Sequence, residues 1–241
     1  MTDFNLQKFF DIVPQISRLG WKHGFSHKPF DAREPKDLCA LAQSLDRQTI
    51  FMPNQVHGIE ICEPDILASC SADAILLDTH APSPMAAGIQ TADCVPLILI
   101  AVNGACLVHA GWRGLAAGIV ERAVNLLEER CGELIFAAIG PCAGDQAYEV
   151  GPEVVAAIGQ GRSCYSKPSI SGKYLLDLKT TAQEILKTKV TEAQLWISPV
   201  CTITSLEHHS FRRDGARAGR NLSFLCYNPE KTSKQRSRGF C

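Results

Sequence analysis

The chain is 241 residues long and carries 24 lysines and arginines against 25 aspartates and glutamates, a formal net charge of -1. A balance this close lacks the broad basic surface that nucleic acid or an anionic membrane requires, so the expected partners are small molecules. The eleven cysteines are odd in number and scattered through a chain long enough to bury its own core, so they read as thiols rather than a disulfide framework.

The N-terminal MTDFNLQKFFDIV is acidic and amphipathic, without the basic start and continuous apolar run of a secretion signal. No apolar stretch approaches membrane-spanning length. The expectation is a cytoplasmic protein, monomeric or homodimeric.

In chain order, the patterns predict a helix over Pro35–Asp46 and strands at Gln48–Met52, Ala74–Leu77, Val95–Val102 and Ala105–Val108. A helix over Leu115–Arg130 follows, with Leu115, Ile119, Ala123 and Leu126 at helical spacing. Beyond it come a strand at Leu134–Ile139, helices at Pro152–Ile158 and Asp177–Lys187, and a strand at Leu222–Tyr227. Several strands are apolar throughout, which buries them on both faces. Asn103-Gly104 between two of them marks a tight antiparallel hairpin, so the sheet is mixed. The predicted fold is α/β: a single layered α/β sandwich domain over residues 1–228, followed by a polar, basic tail over 229–241.

Three segments hold more polar chemistry than packing requires: Gln55-Val56-His57-Gly58, Thr91-Ala92-Asp93-Cys94-Val95-Pro96, and His109-Ala110-Gly111-Trp112-Arg113-Gly114. His57, Cys94 and His109 form a borderline-soft set that suits zinc, with copper as the chemical alternative. Three protein ligands leave a fourth position for water or substrate, as catalytic sites do. The competing reading makes Cys94 a small buried hydrophobe and each histidine a hydrogen-bonded side chain. The register is also awkward. A two-residue Asn103-Gly104 loop pairs Ile98 with His109 and Cys94 with Arg113, leaving Cys94 and His109 about 13 Å apart along one face unless Pro96 turns the chain inward.

Arg113 before the predicted helix and Arg213 in Phe211-Arg212-Arg213-Asp214-Gly215 are candidates for holding an anion such as phosphate. Gln55 is a further substrate-binding candidate. Asp73, Asp93 and Glu149 are candidate proton-transfer groups, each equally readable as a structural carboxylate.

These segments resemble the YfiH-type laccase-domain family, whose members have been described as polyphenol oxidases and as purine nucleoside phosphorylases. The resemblance runs in order through the three segments and Ala72-Asp73-Ala74 with Asp78, then Ile139-Gly140-Pro141, Tyr148-Glu149-Val150-Gly151 and Phe211-Arg212-Arg213-Asp214-Gly215. It departs at Asp145-Gln146-Ala147, where many members carry Pro-Cys-Cys.

The resemblance implies zinc on His57, Cys94 and His109, and a fold similar to the catalytic domain of cytotoxic necrotizing toxins. It further implies phosphorolysis of adenosine, inosine and methylthioadenosine, and deamination of adenosine, with a purine nucleoside and phosphate as substrates; Cys94, His109 and Asp93 are the candidate catalytic residues. Three rivals stand beside it. One is a metal-free cysteine hydrolase, with Cys94 activated by His109 and acting on an amide such as a cell-wall precursor peptide. Another is a copper-dependent polyphenol oxidase. The third is a structural zinc closed by a fourth ligand, His208, His209 or Cys106.

Overall fold

The computed structural model describes residues 4–65, 69–80, 86–161 and 163–227; the tail expected over 229–241 lies outside them. In chain order the strands are β1 (Phe10–Asp11), β2 (Trp21–Ser26), β3 (Ile50–Phe51), β4 (Ile61–Cys62), β5 (Ala74–Asp78), β6 (Ala86–Thr91) and β7 (Val95–Ala101). They continue as β8 (Gly104–Ala110), β9 (Leu134–Ile139), β10 (Glu149–Val150), β11 (Ser166–Pro168), β12 (Tyr174–Leu176), β13 (Leu195–Ile197) and β14 (Asn221–Tyr227). The helices are α1 (Pro14–Arg18), α2 (Pro35–Ser44), α3 (Trp112–Ala117), α4 (Ile119–Cys131), α5 (Pro152–Gly159), α6 (Leu178–Lys187) and α7 (Phe211–Asp214).

Two large mixed sheets stack face to face. One has the order β13-β9-β7-β8-β5-β4, the other β1-β2-β14-β6-β3, and a small third sheet runs β10-β12-β11. Alternation along β7 decides what each face meets. Leu97 and Leu99 pack with Ile119, Ala123 and Leu127 of α4 and with Leu186 of α6. Ile98 and Ile100 point the other way, onto Phe25, Ile89 and Leu225 of the five-stranded sheet. The outer face of that sheet is covered in turn by Leu41, Ala42 and Leu45 at α2, which meet Leu222 and Phe224. The layers therefore run helix, sheet, sheet, helix, and both sheets are covered on both faces. That is why β7 and β8 are apolar throughout apart from His109.

Two expected features come out differently. The helix predicted over Leu115–Arg130 is two helices, interrupted at Gly118, whose φ of 93° suits a residue without a side chain. The hairpin turn is displaced from Asn103-Gly104: Ala101 pairs with Gly104, so Val102 and Asn103 form the loop. A Cβ on Gly104 would lie 2.3 Å from Cys131 Sγ and 2.7 Å from the Leu77 carbonyl oxygen, so the glycine serves close packing. In the observed register Pro96 faces His109 and Val95 faces Ala110. Cys94 thus comes one step past the last pair, a diagonal neighbour of His109 at about 7–8 Å between Cα atoms instead of about 13 Å. Pro96 need not turn the chain; its carbonyl accepts the Gly140 N–H at 2.9 Å.

Candidate metal centre

His57, Cys94 and His109 come from three separated segments, and their ligand atoms lie within 4.8 Å of one another. Asp73 draws them together. Fully buried just before β5, its carboxylate accepts the N–H groups of Val56 (3.2 Å), His57 (3.0 Å) and Gly58 (2.6 Å). Three donors on one carboxylate hold the turn in which His57 takes φ of 61°, a left-handed conformation that costs a non-glycine residue about 1–3 kcal/mol. Asp73 also meets His109 Nδ1 at 2.7 Å. That nitrogen then carries the proton and Nε2 is left to face Cys94 and His57, the arrangement by which a carboxylate orients a metal-ligating histidine. The two imidazole rings stand nearly perpendicular, 4.9 Å between centroids.

Burial would raise the Cys94 thiol, but hydrogen bonds from His109 and His57 outweigh it and bring its pKa down to about 6. Its thiolate, the form that binds metal, therefore predominates at neutral pH. Burial likewise disfavours a charged His109, yet Asp73 and the Cys94 thiolate lift its pKa to about 9. Asp73, despite its burial, is held below the usual carboxylate range, first by its hydrogen bond with His109 and then by the Gly58 N–H. The donor set fits a borderline ion: one thiolate and two imidazoles, with one imidazole fixed from behind.

Gly111 leaves room for this cluster. A Cβ there would lie 3.0 Å from both Cys94 Sγ and His57 Cδ2. Gly111→Ala is expected to push two of the three donors apart and weaken metal binding by about tenfold, within the range for disturbed outer-shell groups. Competition with a chromogenic chelator reads this directly, and wild-type affinity in the variant would show that the cluster absorbs the methyl group without moving.

The three side chains sit in the wall of a cavity of about 560 Å³, shared with Pro53, Asn54, Gln55, Phe211 and Arg220. That volume suits a small organic substrate. The other predicted residues lie differently. Gln55 lines the cavity, but its amide is engaged with the Gln90 backbone within β6, Nε2 donating to the carbonyl and Oε1 accepting the N–H as a neighbouring strand would. The buried Asp93 carboxylate accepts the Thr202 hydroxyl (2.7 Å) and the Arg212 N–H (2.9 Å), anchoring α7. Arg213 fans across the carbonyls of Thr202, Ser205 and His208 and pairs with Asp214. Arg113 is exposed and stacks 4.3 Å over the Trp112 ring.

Asp93, Arg113 and Arg213 are absent from the cavity lining among the described residues. Glu149 accepts the hydroxyls of Ser169 and Ser171 in the turn between β11 and β12. His208, His209 and Cys106 do not join the ligand group, so no fourth protein ligand closes it among the described residues. Sequence reasoning missed Phe211 and Arg220. For Phe211 a signal was present in the segment Phe211-Arg212-Arg213-Asp214-Gly215, where Arg213 was the candidate; in the structure it is a large apolar side chain, 50% exposed at the start of α7.

Residues 25–228 match the family described as multi-copper polyphenol oxidoreductase laccase. The chain belongs to the YfiH-type laccase-domain family. Within it, the chain is 36% identical over 176 residues to a purine nucleoside phosphorylase of Xylella fastidiosa (strain Temecula1), covering 69% of this chain and 67% of the relative. It is 34% identical over 220 residues to a purine nucleoside phosphorylase of Pseudomonas aeruginosa, covering 84% and 88%. With the purine nucleoside phosphorylase YfiH of Escherichia coli K12 it shares 36% identity over 204 residues, covering 82% and 81%. Two solved structures have the same fold: YfiH of Bacillus licheniformis (TM-score 0.82, 22% identity, covering 95% of this chain and 100% of that one) and YlmD of Geobacillus stearothermophilus (0.74, 24%, 87% and 92%).

Proposed function

We propose that this YfiH-type protein is a zinc-dependent purine nucleoside enzyme that carries out phosphorolysis of adenosine, inosine and methylthioadenosine and deamination of adenosine. The observation that carries the reading is the three-donor cluster of His57, Cys94 and His109 in the wall of a nucleoside-sized cavity. The relatives named purine nucleoside phosphorylase support the substrate class. A zinc ion held there supplies a Lewis acid that polarises a bound oxygen or nitrogen and lowers the pKa of water.

The chain's own side chains bind and orient. Asp73 keeps the Nδ1 proton of His109 and fixes the His57 turn, so the donors face the cavity without rearrangement. Phe211 offers an aromatic face against which a purine ring stacks, and the Asn54 amide, also in the wall, supplies a polar contact for the sugar or base. In phosphorolysis a phosphate oxygen bonds to the anomeric carbon as the carbon–nitrogen bond to the base breaks, its electron pair leaving with the purine, which is protonated. In deamination water replaces the ring amino group and ammonia leaves. The two reactions share a pocket but need different nucleophiles.

The test is elemental analysis of the purified protein and its Cys94→Ala variant, alongside adenosine turnover with and without phosphate. About one zinc per chain, lost together with activity in the variant, is the expected result. Metal-free protein that still turns over adenosine would overturn the zinc mechanism.

A specific observation favours a second reading, a cysteine hydrolase: Cys94 is hydrogen-bonded to His109 with its thiol brought down to about 6, the pairing a nucleophilic thiolate uses. It predicts activity abolished by iodoacetamide yet unaffected by chelators, whereas a metal-dependent reaction is lost when a chelator removes the ion.

A further inference from the structure

Phosphorolysis needs a place for an oxyanion, and four arginines lie close enough to the site to be considered. Arg213 has both its edge and its end nitrogens engaged with carbonyls and Asp214. Arg212 stacks 4.5 Å over the Tyr148 ring and donates to the Glu149 carbonyl. Arg113 lies over Trp112, outside the cavity lining. Arg220 is the fourth. It shares the cavity wall with His57, Cys94, His109 and Phe211, and among the described lining residues its charge alone is permanent.

The surroundings of Arg220 hold its backbone and leave one face of its head group. Its N–H donates to Asp31 Oδ1 at 2.9 Å and its carbonyl accepts the Ala32 N–H at 3.0 Å. The next residue, Asn221, opens β14, pairs with Thr91 across β6 and donates to the Thr91 carbonyl, which ties Arg220 to the Thr91–Cys94 turn. The hydrogen bonds of the guanidinium leave from Nη1, to the carbonyls of Ala218 (3.1 Å) and Gly219 (2.9 Å). No carboxylate pairs with it among the described residues: Asp31, the nearest acid along this path, is bridged to Arg33. Nε and Nη2 together form the edge that grips two oxygens of a phosphate at once.

We infer that Arg220 is the oxyanion-binding residue of this cavity and that it holds inorganic phosphate beside the metal cluster. The inference rests on the phosphorolytic reading above. Arg220 positions the phosphate as nucleophile, and the side chains beyond it position the nucleoside.

The experiment is calorimetric titration of the metal-loaded protein with inorganic phosphate, for wild type, Arg220→Gln, Arg220→Lys and Arg113→Gln, with far-UV circular dichroism confirming that each variant is folded. Arg220→Gln is expected to weaken phosphate binding at least tenfold and Arg220→Lys by less, because it keeps the charge but loses the two-nitrogen edge; Arg113→Gln leaves binding at the wild-type value. Phosphate that fails to bind the wild type, or binds Arg220→Gln as tightly, overturns the inference. The two readings also fail separately. Phosphate bound through Arg220 with no nucleoside turnover sinks phosphorolysis and leaves the anion site standing, whereas phosphorolysis by Arg220→Gln at an unchanged KM for phosphate sinks the anion site alone.

Discussion

Replacing Asp73 with alanine is expected to strip the three-donor cluster of its organisation and to destabilise the protein in the same step. Four donors converge on this one fully buried carboxylate, the N–H groups of Val56, His57 and Gly58 and the Nδ1 of His109. Deleting it leaves those groups without their acceptor; the buried His109 Nδ1 left unmatched costs about 1–3 kcal/mol, and the half-buried N–H groups of Val56, His57 and Gly58 add smaller amounts. Water entering the vacated volume recovers part of that, so a net loss of about 3–5 kcal/mol is expected, the size seen when one partner of a buried ion pair is removed. The His57 turn then has nothing to hold its left-handed conformation, and His109 loses the bond that keeps Nε2 turned inward. Metal affinity should fall by about 10- to 100-fold, as for other outer-shell carboxylates. Urea denaturation measures the first effect and chelator competition the second. Asp73→Asn fills the same volume with one acceptor oxygen but turns an NH2 toward two of the four donors, so only part of the stability should return while metal affinity stays low, since an amide is a poorer partner for His109. Wild-type metal affinity in both variants would reduce Asp73 to a packing role.

The second large effect is on the response to acid. His23 is 1% exposed, at the centre of β2. Its Nε2 accepts the Val13 N–H at 2.8 Å, which a protonated imidazole cannot do, and its Nδ1 faces the Trp21 carbonyl. Burial drives its pKa down to about 4, with the Trp21 carbonyl opposing. The folded value lies below the unfolded value of 6.5, so between them the unfolded chain binds a proton that the fold excludes. Stability is therefore full above pH 6.5 and is lost as pH falls through 4, by about 3 kcal/mol for this one residue. His208, also pushed down to about 4 by burial, acts in the same direction. Urea midpoints recorded from pH 7.5 to 4.5 should fall steeply in the wild type and about half as steeply in His23→Gln, which keeps an acceptor for Val13 but does not titrate. An unchanged slope in the variant would show that His23 accommodates its proton within the fold.

Legibility in the sequence followed burial. Leu134–Ile139 is the strand its apolar run predicts, and β14 extends the predicted Leu222–Tyr227 by one residue, because a strand covered on both faces needs apolar side chains throughout. Asp177, predicted as the first helical residue, is instead the cap of α6, its side chain accepting the Thr180 N–H. The strands β2 and β6 went unpredicted. Each is interrupted by a glycine, β2 mixes its Trp and Phe with Lys, His and Ser, and β6 opens on two alanines, so neither forms the continuous branched or aromatic run that marks a strand locally. They are strands because β14 pairs with both.

At the site, residue type offered His57, Cys94 and His109 as a ligand set beside a buried thiol and hydrogen-bonded histidines, and the family resemblance of their segments is what favoured the ligand set. Their closeness was not legible, because it depends on a two-residue difference in hairpin register that places the loop at Val102-Asn103. The functional reach of the arginines was equally hidden. Arg113, Arg213 and Arg220 are chemically alike in a sequence, and what separates them is which carbonyls, rings and carboxylates the fold sets around each guanidinium.

The sequence by itself determined the chemistry on offer and the buried strands, since both follow from side-chain type and local periodicity. Only the tertiary structure decided the hairpin register, the carboxylate that gathers the three donors and the arginine left with a face to the cavity, because each depends on contacts between segments far apart in the chain.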